Sequence, residues 1–85
     1  MATLITADRA TKLDKVPTFK ECYALVGCSL LEIVRLGNGS ILLVDEEGLF
    51  NAPVTINEIA SEMAGTTLVG KAVLLDKAEA KKVLG

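Results

Sequence analysis

Three carboxylates stand in a row at Asp45, Glu46 and Glu47, behind the aliphatic run Ile41–Val44. Clustered acids can bind a metal or serve as a general acid and base. Both roles need carboxylates that converge from separate elements on one pocket. Adjacent residues on a strand or turn point apart, and no Asp-x-Asp-x-Asp-Gly calcium loop is present. The acids therefore read first as a solvated turn that ends a strand. Arg35 is the second candidate. An arginine inside an apolar strand has a partner or a ligand, and its fork suits a carboxylate or a phosphate. Glu32 and Asp45 are its candidate partners across a hairpin. Asn57, with Asn51 at the far side of the Ala52–Ile56 connection, is expected in the first turn of a helix, where free N–H groups and the dipole attract anions. Lys20 stands with Arg9, Lys12 and Lys15 in the most basic third of the chain.

The absences restrict the chemistry further. There is no histidine, so Ser-His-Asp and Cys-His nucleophiles are excluded. Cys22 and Cys28 lack the further ligands that a zinc site needs, and read as small, reduced, buried side chains. No Gly-rich phosphate loop appears, because the glycines of "RLGNGS" precede neither Gly-Lys-Ser/Thr nor a helix. The net charge is −2, with 9 basic and 11 acidic residues and 4% aromatics. A basic stripe and stacking aromatics are both missing, which speaks against nucleic-acid binding. Neither a metal nor a cofactor is expected.

These residues must be positioned by a small fold. The 85 residues predict a single domain, 1–85. Yet 51% of them are hydrophobic and the mean hydropathy is +0.45. So small a chain has little interior for them, and a homo-oligomer would hide the excess. The apolar runs are too short and interrupted to span a membrane. The N-terminus lacks a signal-peptide pattern, so a cytoplasmic protein is expected.

Local signals predict the elements. Residues 2–8 alternate as a first strand, and 9–16 form a turn with a short strand before Pro17. Thr18 and Glu21 make a capping box. Phe19, Cys22, Tyr23 and Val26 follow on one helical face up to Gly27. "SLLEIVRL" and "SILLVD" form a hairpin turning tightly through Asn38-Gly39, with Glu32 and Arg35 on opposite faces by parity. Pro53 keeps the "LFNAP" stretch from being a central strand. Thr55 and Glu58 predict a second capping box, leading a face of Ile56, Ile59, Ala60 and Met63 to Gly65. "TTLVGKAVLL" is a strand with Gly70 as a bulge or close-approach point. Asp76 and Glu79 make a third box, and Lys81 and Lys82 suit the last turn of a short C-terminal helix. The predicted class is α+β: a small, mostly antiparallel sheet of four to five strands, two helices on one face, and a short C-terminal helix. Two strands apolar on both parities, "SILLV" and "KAVLL", leave one face to meet another subunit.

The order of these motifs resembles a small family of phage and mobile-element proteins known only as a domain of unknown function. Glu32 to Leu36, Asp45 to Gly48, Asn57 and Val69-Gly70 carry the resemblance, which spans roughly 18–75. "GCSL" stands where that family often has Gly-Gly-Tyr. The resemblance implies a viral or mobile-element origin and an accessory role in a host cytoplasm, and supplies no activity. With catalytic groups absent, it points to a non-enzymatic homo-oligomer that sequesters a small anionic, nucleotide-type ligand such as a host immune signal. Arg35, Asn57, Asn51, Lys20, Glu32 and Asp45 are the candidate site residues. The alternative is a protein–protein interaction module that modulates a host protein through a sheet edge or apolar face.

Overall fold

The structure is a computed structural model, and it describes residues 2–47 and 55–85. Five strands and three helices follow in the order β1 (Thr3–Ile5), β2 (Ala10–Lys12), α1 (Phe19–Val26), β3 (Leu31–Arg35), β4 (Ile41–Asp45), α2 (Glu58–Ala64), β5 (Ala72–Leu75) and α3 (Lys77–Leu84). All pairings are antiparallel, in one sheet of order β2-β1-β5-β4-β3. The expected α+β class holds, and the sheet has the larger of the two expected strand numbers.

Strand parity distributes the core over both faces. Ile41, Leu43, Val73 and Leu75 gather with Cys22 and Val26 of α1 and Ala80 of α3. Leu42, Val44, Ala72 and Ile5 gather with Ala60 of α2. Thus α1 and α3 pack on the first face and α2 on the second, whereas α1 and α2 had been expected to share one. The reason lies in β4, where Ile41 to Val44 are all buried. A strand apolar on both parities needs cover on both sides. The second face, assigned from the sequence to another subunit, is met by the chain's own α2.

Two helix starts form as their sequences predict. Thr18 Oγ1 accepts the Glu21 N–H at 3.1 Å, and the Glu21 carboxylate accepts the Thr18 N–H at 2.9 Å. Asp76 and Glu79 repeat the exchange at 2.8 and 3.0 Å. These bonds hold the carboxyls of Glu21 and Asp76 below their ordinary values. Gly27 and Gly65 close α1 and α2.

The second start differs. Thr55 is not the cap, and α2 opens at Glu58 with Asn57 as its N-cap. Residues 55–57 are extended, because they pair with 68–70. Ile56 bridges Val69, the Asn57 N–H donates to Leu68 O at 2.9 Å, and the Gly70 N–H donates to Thr55 O at 2.8 Å. Consequently Ile56 and Met63, expected on the buried face, are 54% and 44% exposed. The expected strand 66–75 also divides here. Gly70 has φ +76° and nothing within 4 Å of a Cβ placed on it. It is required for its left-handed conformation rather than for a close approach.

The hairpin turn is longer than the Asn38-Gly39 pair alone. Leu36 N–H donates to Ser40 O at 2.9 Å and Gly39 N–H to Leu36 O at 3.2 Å, which leaves three residues, 37–39, in the loop. A two-residue type I′ turn would need positive φ at Asn38 as well. Among the described residues only glycines have positive φ, and Gly39 lies at 90°. Asn38 instead turns its Oδ1 to the Ser40 N–H, at 2.9 Å. The extended stretch constrained by Pro53 lies outside the described residues.

Candidate functional site

The β3–β4 ladder places the charged candidates. Arg35 pairs with Ile41, Glu32 with Val44, and Asp45 with Leu31. Glu32 and Arg35 do stand on opposite faces, as parity predicts. That same parity removes Glu32 as a partner for Arg35. Asp45 shares Arg35's face but lies four register steps away, about 13 Å along the strand. Neither acid is the cross-hairpin partner that the sequence suggested.

Glu32 and Asp45 themselves stand on opposite faces of the ladder. With Glu46 they line a cleft of about 70 Å³ completed by Val44, Thr67, Leu68 and Val69. Asp45 Oδ1 also accepts the Glu47 N–H at 2.9 Å, which folds the acidic stretch into a turn. Among the described residues no three Asp, Glu, Cys or His side chains are grouped to hold a metal ion.

Asn57 is fully buried and committed to the backbone. Its Nδ2 donates to Ile5 O at 3.0 Å and Gly70 O at 2.8 Å, and its Oδ1 accepts the Ala60 N–H at 3.0 Å. It ties β1, the 68–70 segment and α2 together, and offers no donor to a ligand. Asn51 lies outside the described residues. Lys20 is exposed on the first turn of α1. Its neighbour Phe19 lines a cleft with Lys82 and Val83, at the C-terminal end of α3. Arg35 lies by the start of α3 instead: its partner Ile41 pairs with Leu75, and the Lys77 side chain lies against Gly39 in the turn. Arg35, Lys20 and Asn57 are therefore not brought together.

A cleft of about 370 Å³ between the β2–α1 connection and α1 contains none of the candidates. Leu13, Asp14, Lys15 and Pro17 face Glu21, Ala24 and Leu25 across it. Both cysteines are free, with Cys22 buried and Cys28 half-buried. Burial pushes both thiols up, helped at Cys28 by the Asp45 carboxylate. Neither is set up as a nucleophile.

Sequence reasoning offered a sheet edge as a docking surface without saying which strand forms it. Among the described residues β3 ends the sheet. The Leu36–Ser40 and Leu30–Glu46 hydrogen bonds fix the phase of its ladder. Residues 30, 32, 34 and 36 bond inward to β4. The N–H and C=O groups of Leu31, Ile33 and Arg35 point outward, by the alternation of an antiparallel pair. Their side chains share the first face, where Ile33 is 37% exposed, and Leu30 just before the strand is 47% exposed. The available signal was the inner strand's four consecutive buried aliphatics, which mark it as the sheet interior and leave β3 outside it. The opposite edge, β2, has three exposed residues and carries Lys12. Short edges bearing lysine are protected against pairing, whereas β3 is longer and more apolar.

Among the described residues no helix is long and apolar enough to cross a membrane. Residues 2–83 match the model of a family described as a domain of unknown function, DUF3846. No curated protein and no solved structure matches the chain.

Proposed function

The chain belongs to the DUF3846 family, whose description supplies no activity, and from its geometry we propose a non-enzymatic protein-interaction module that accepts an extended segment of another protein at the β3 edge. One observation carries this reading: outward N–H and C=O groups at Leu31, Ile33 and Arg35 lie beside exposed aliphatic surface at Leu30 and Ile33. In strand addition the main chain supplies affinity, and alternate side chains supply specificity. The ligand-sequestering oligomer has less support, since Arg35 and Lys20 lie apart and the donors of Asn57 are taken. A modulator of a host protein, in a viral or mobile-element setting, is the biological form of the proposal.

A random-peptide display selection on the immobilised full chain tests it, with Ile33→Pro as the counter-target. Proline there removes an outward N–H and obstructs docking, while the inward ladder at 32 and 34 keeps its bonds. Enriched peptides should be extended, β-prone and lost on the variant. Enrichment of peptides indifferent to Ile33→Pro, or of none, refutes docking at this edge.

A further inference from the structure

The partner's side-chain pattern follows from the register of the edge, and it rests on the strand-addition reading above. An antiparallel strand joining β3 must set its own bonding residues opposite Leu31, Ile33 and Arg35. Its side chains at those positions then lie on the first face, beside the same three residues. Ile33 presents an exposed aliphatic surface, and Leu31 is half-buried against the first cluster. Arg35 has aliphatic neighbours on its own face of the sheet: Ile33 along the strand, Ile41 opposite and Leu43 diagonally. Asp76, which follows Leu75, accepts the Glu79 N–H as the cap of α3. The next side chain, Lys77, lies against the hairpin turn and adds a second cation at this end.

We infer that the β3 edge fits an antiparallel segment of the form acid-x-apolar-x-apolar, with the carboxylate opposite Arg35 and the aliphatic residues opposite Ile33 and Leu31. The β3 strand of a second copy does not meet the pattern. The outward groups of β3 belong to odd-numbered residues, so antiparallel self-pairing sets odd positions against odd. Opposite Arg35 it offers Leu31, Ile33 or Arg35, and Glu32 always falls on the other face. With β3-to-β3 pairing unsuited, the occupant we infer is a different protein with an acidic residue leading an alternating apolar strand.

The test uses the isotope-labelled full chain and two capped heptapeptides, Thr-Glu-Thr-Val-Thr-Val-Thr and the same sequence with Lys in place of Glu. Amide exchange and chemical shifts report binding. The acidic peptide should bind about two- to fivefold more tightly, the range of an exposed ion pair, and should protect the amides of Leu31, Ile33 and Arg35. Arg35→Glu should reverse the preference. Equal binding of both peptides, unchanged in Arg35→Glu, overturns the acid rule while strand addition stands. No protection by either peptide overturns both readings. Protection of these amides without peptide, with a dimer in sedimentation, puts a second copy on the edge and also overturns the inference.

Discussion

Replacing Asn57 by Ala should remove three interactions at once. The Ala60 N–H loses its cap, which costs about 1 kcal/mol. Ile5 O and Gly70 O each lose a donor, at about 0.5–1.5 kcal/mol apiece. The sum is about 2–4 kcal/mol, within a total stability of about 4–13 kcal/mol for a chain of this length. At about 4–8 °C per kcal/mol for a domain of this size, Tm should fall by roughly 8–30 °C. Urea denaturation followed by circular dichroism gives the free energy directly. Two further variants separate capping from bridging. Asn57→Ser keeps a cap oxygen and loses both bridges, so it should fall between wild type and Asn57→Ala. Asn57→Asp is as good a cap as Asn in general. Here it turns a carboxylate oxygen toward the carbonyls of Ile5 and Gly70, 3.0 and 2.8 Å from the present nitrogen. It should be at least as destabilising as Asn57→Ala, and the deficit should shrink in acid as protonation restores one donor. An Asn57→Asp variant as stable as wild type would refute the bridging role, and an Asn57→Ala variant within about 0.5 kcal/mol of wild type would refute the whole assignment.

Thr18→Ala and Asp76→Ala should each lower stability by about 1 kcal/mol in urea melts, whereas Thr55→Ala should change it by less than about 0.5 kcal/mol, because Thr55 caps nothing. The carboxyls of Glu21 and Asp76 lie below their ordinary values of 4.5 and 3.8 through the backbone N–H groups that they accept. Their stabilisation is fully present above those ordinary values and is lost as pH falls through the lower folded ones, so a Tm profile from pH 6 downward should stay flat at first and drop only in that acid range. Gly39→Ala should destabilise by about 1–2 kcal/mol, since a Cβ at φ 90° would also stand 3.2 Å from the Lys77 side chain; an unchanged urea midpoint would contradict the three-residue turn.

What the sequence disclosed was local. The Thr18 and Asp76 boxes, the Gly27 and Gly65 stops and the β3–β4 hairpin depend on residues a few positions apart, and all of them form. The failures share a cause in contacts between distant segments. Thr55 has the spacing of a capping residue, but the pairing of 55–57 with 68–70 takes its backbone, and the cap passes to Asn57. Asn57 was singled out correctly as a polar residue at a helix start, yet its bond to Ile5, 52 positions away, made it structural. Periodicity showed β4 to be apolar on both parities without saying that α2 would cover the second face. At Arg35, parity placed the side chain correctly and removed Glu32 as a partner, while the ladder register set Asp45 four steps away. The importance of β3's outward backbone was hidden because it depends on sheet order rather than on side chains.

That sheet order has a kinetic consequence. The hairpins β1–β2 and β3–β4 close locally, yet among the described residues of the finished sheet they are joined only through β5, the last of the described strands. Until β5 inserts, each hairpin has two open sides, and the aliphatic strand β4 lacks its neighbour. Such non-local closure is slow compared with hairpin formation. It leaves a window in which a half-built molecule can pair with the wrong strand. Substitutions in Ala72–Leu75 should therefore lower the yield of folded protein more than they lower its stability once folded.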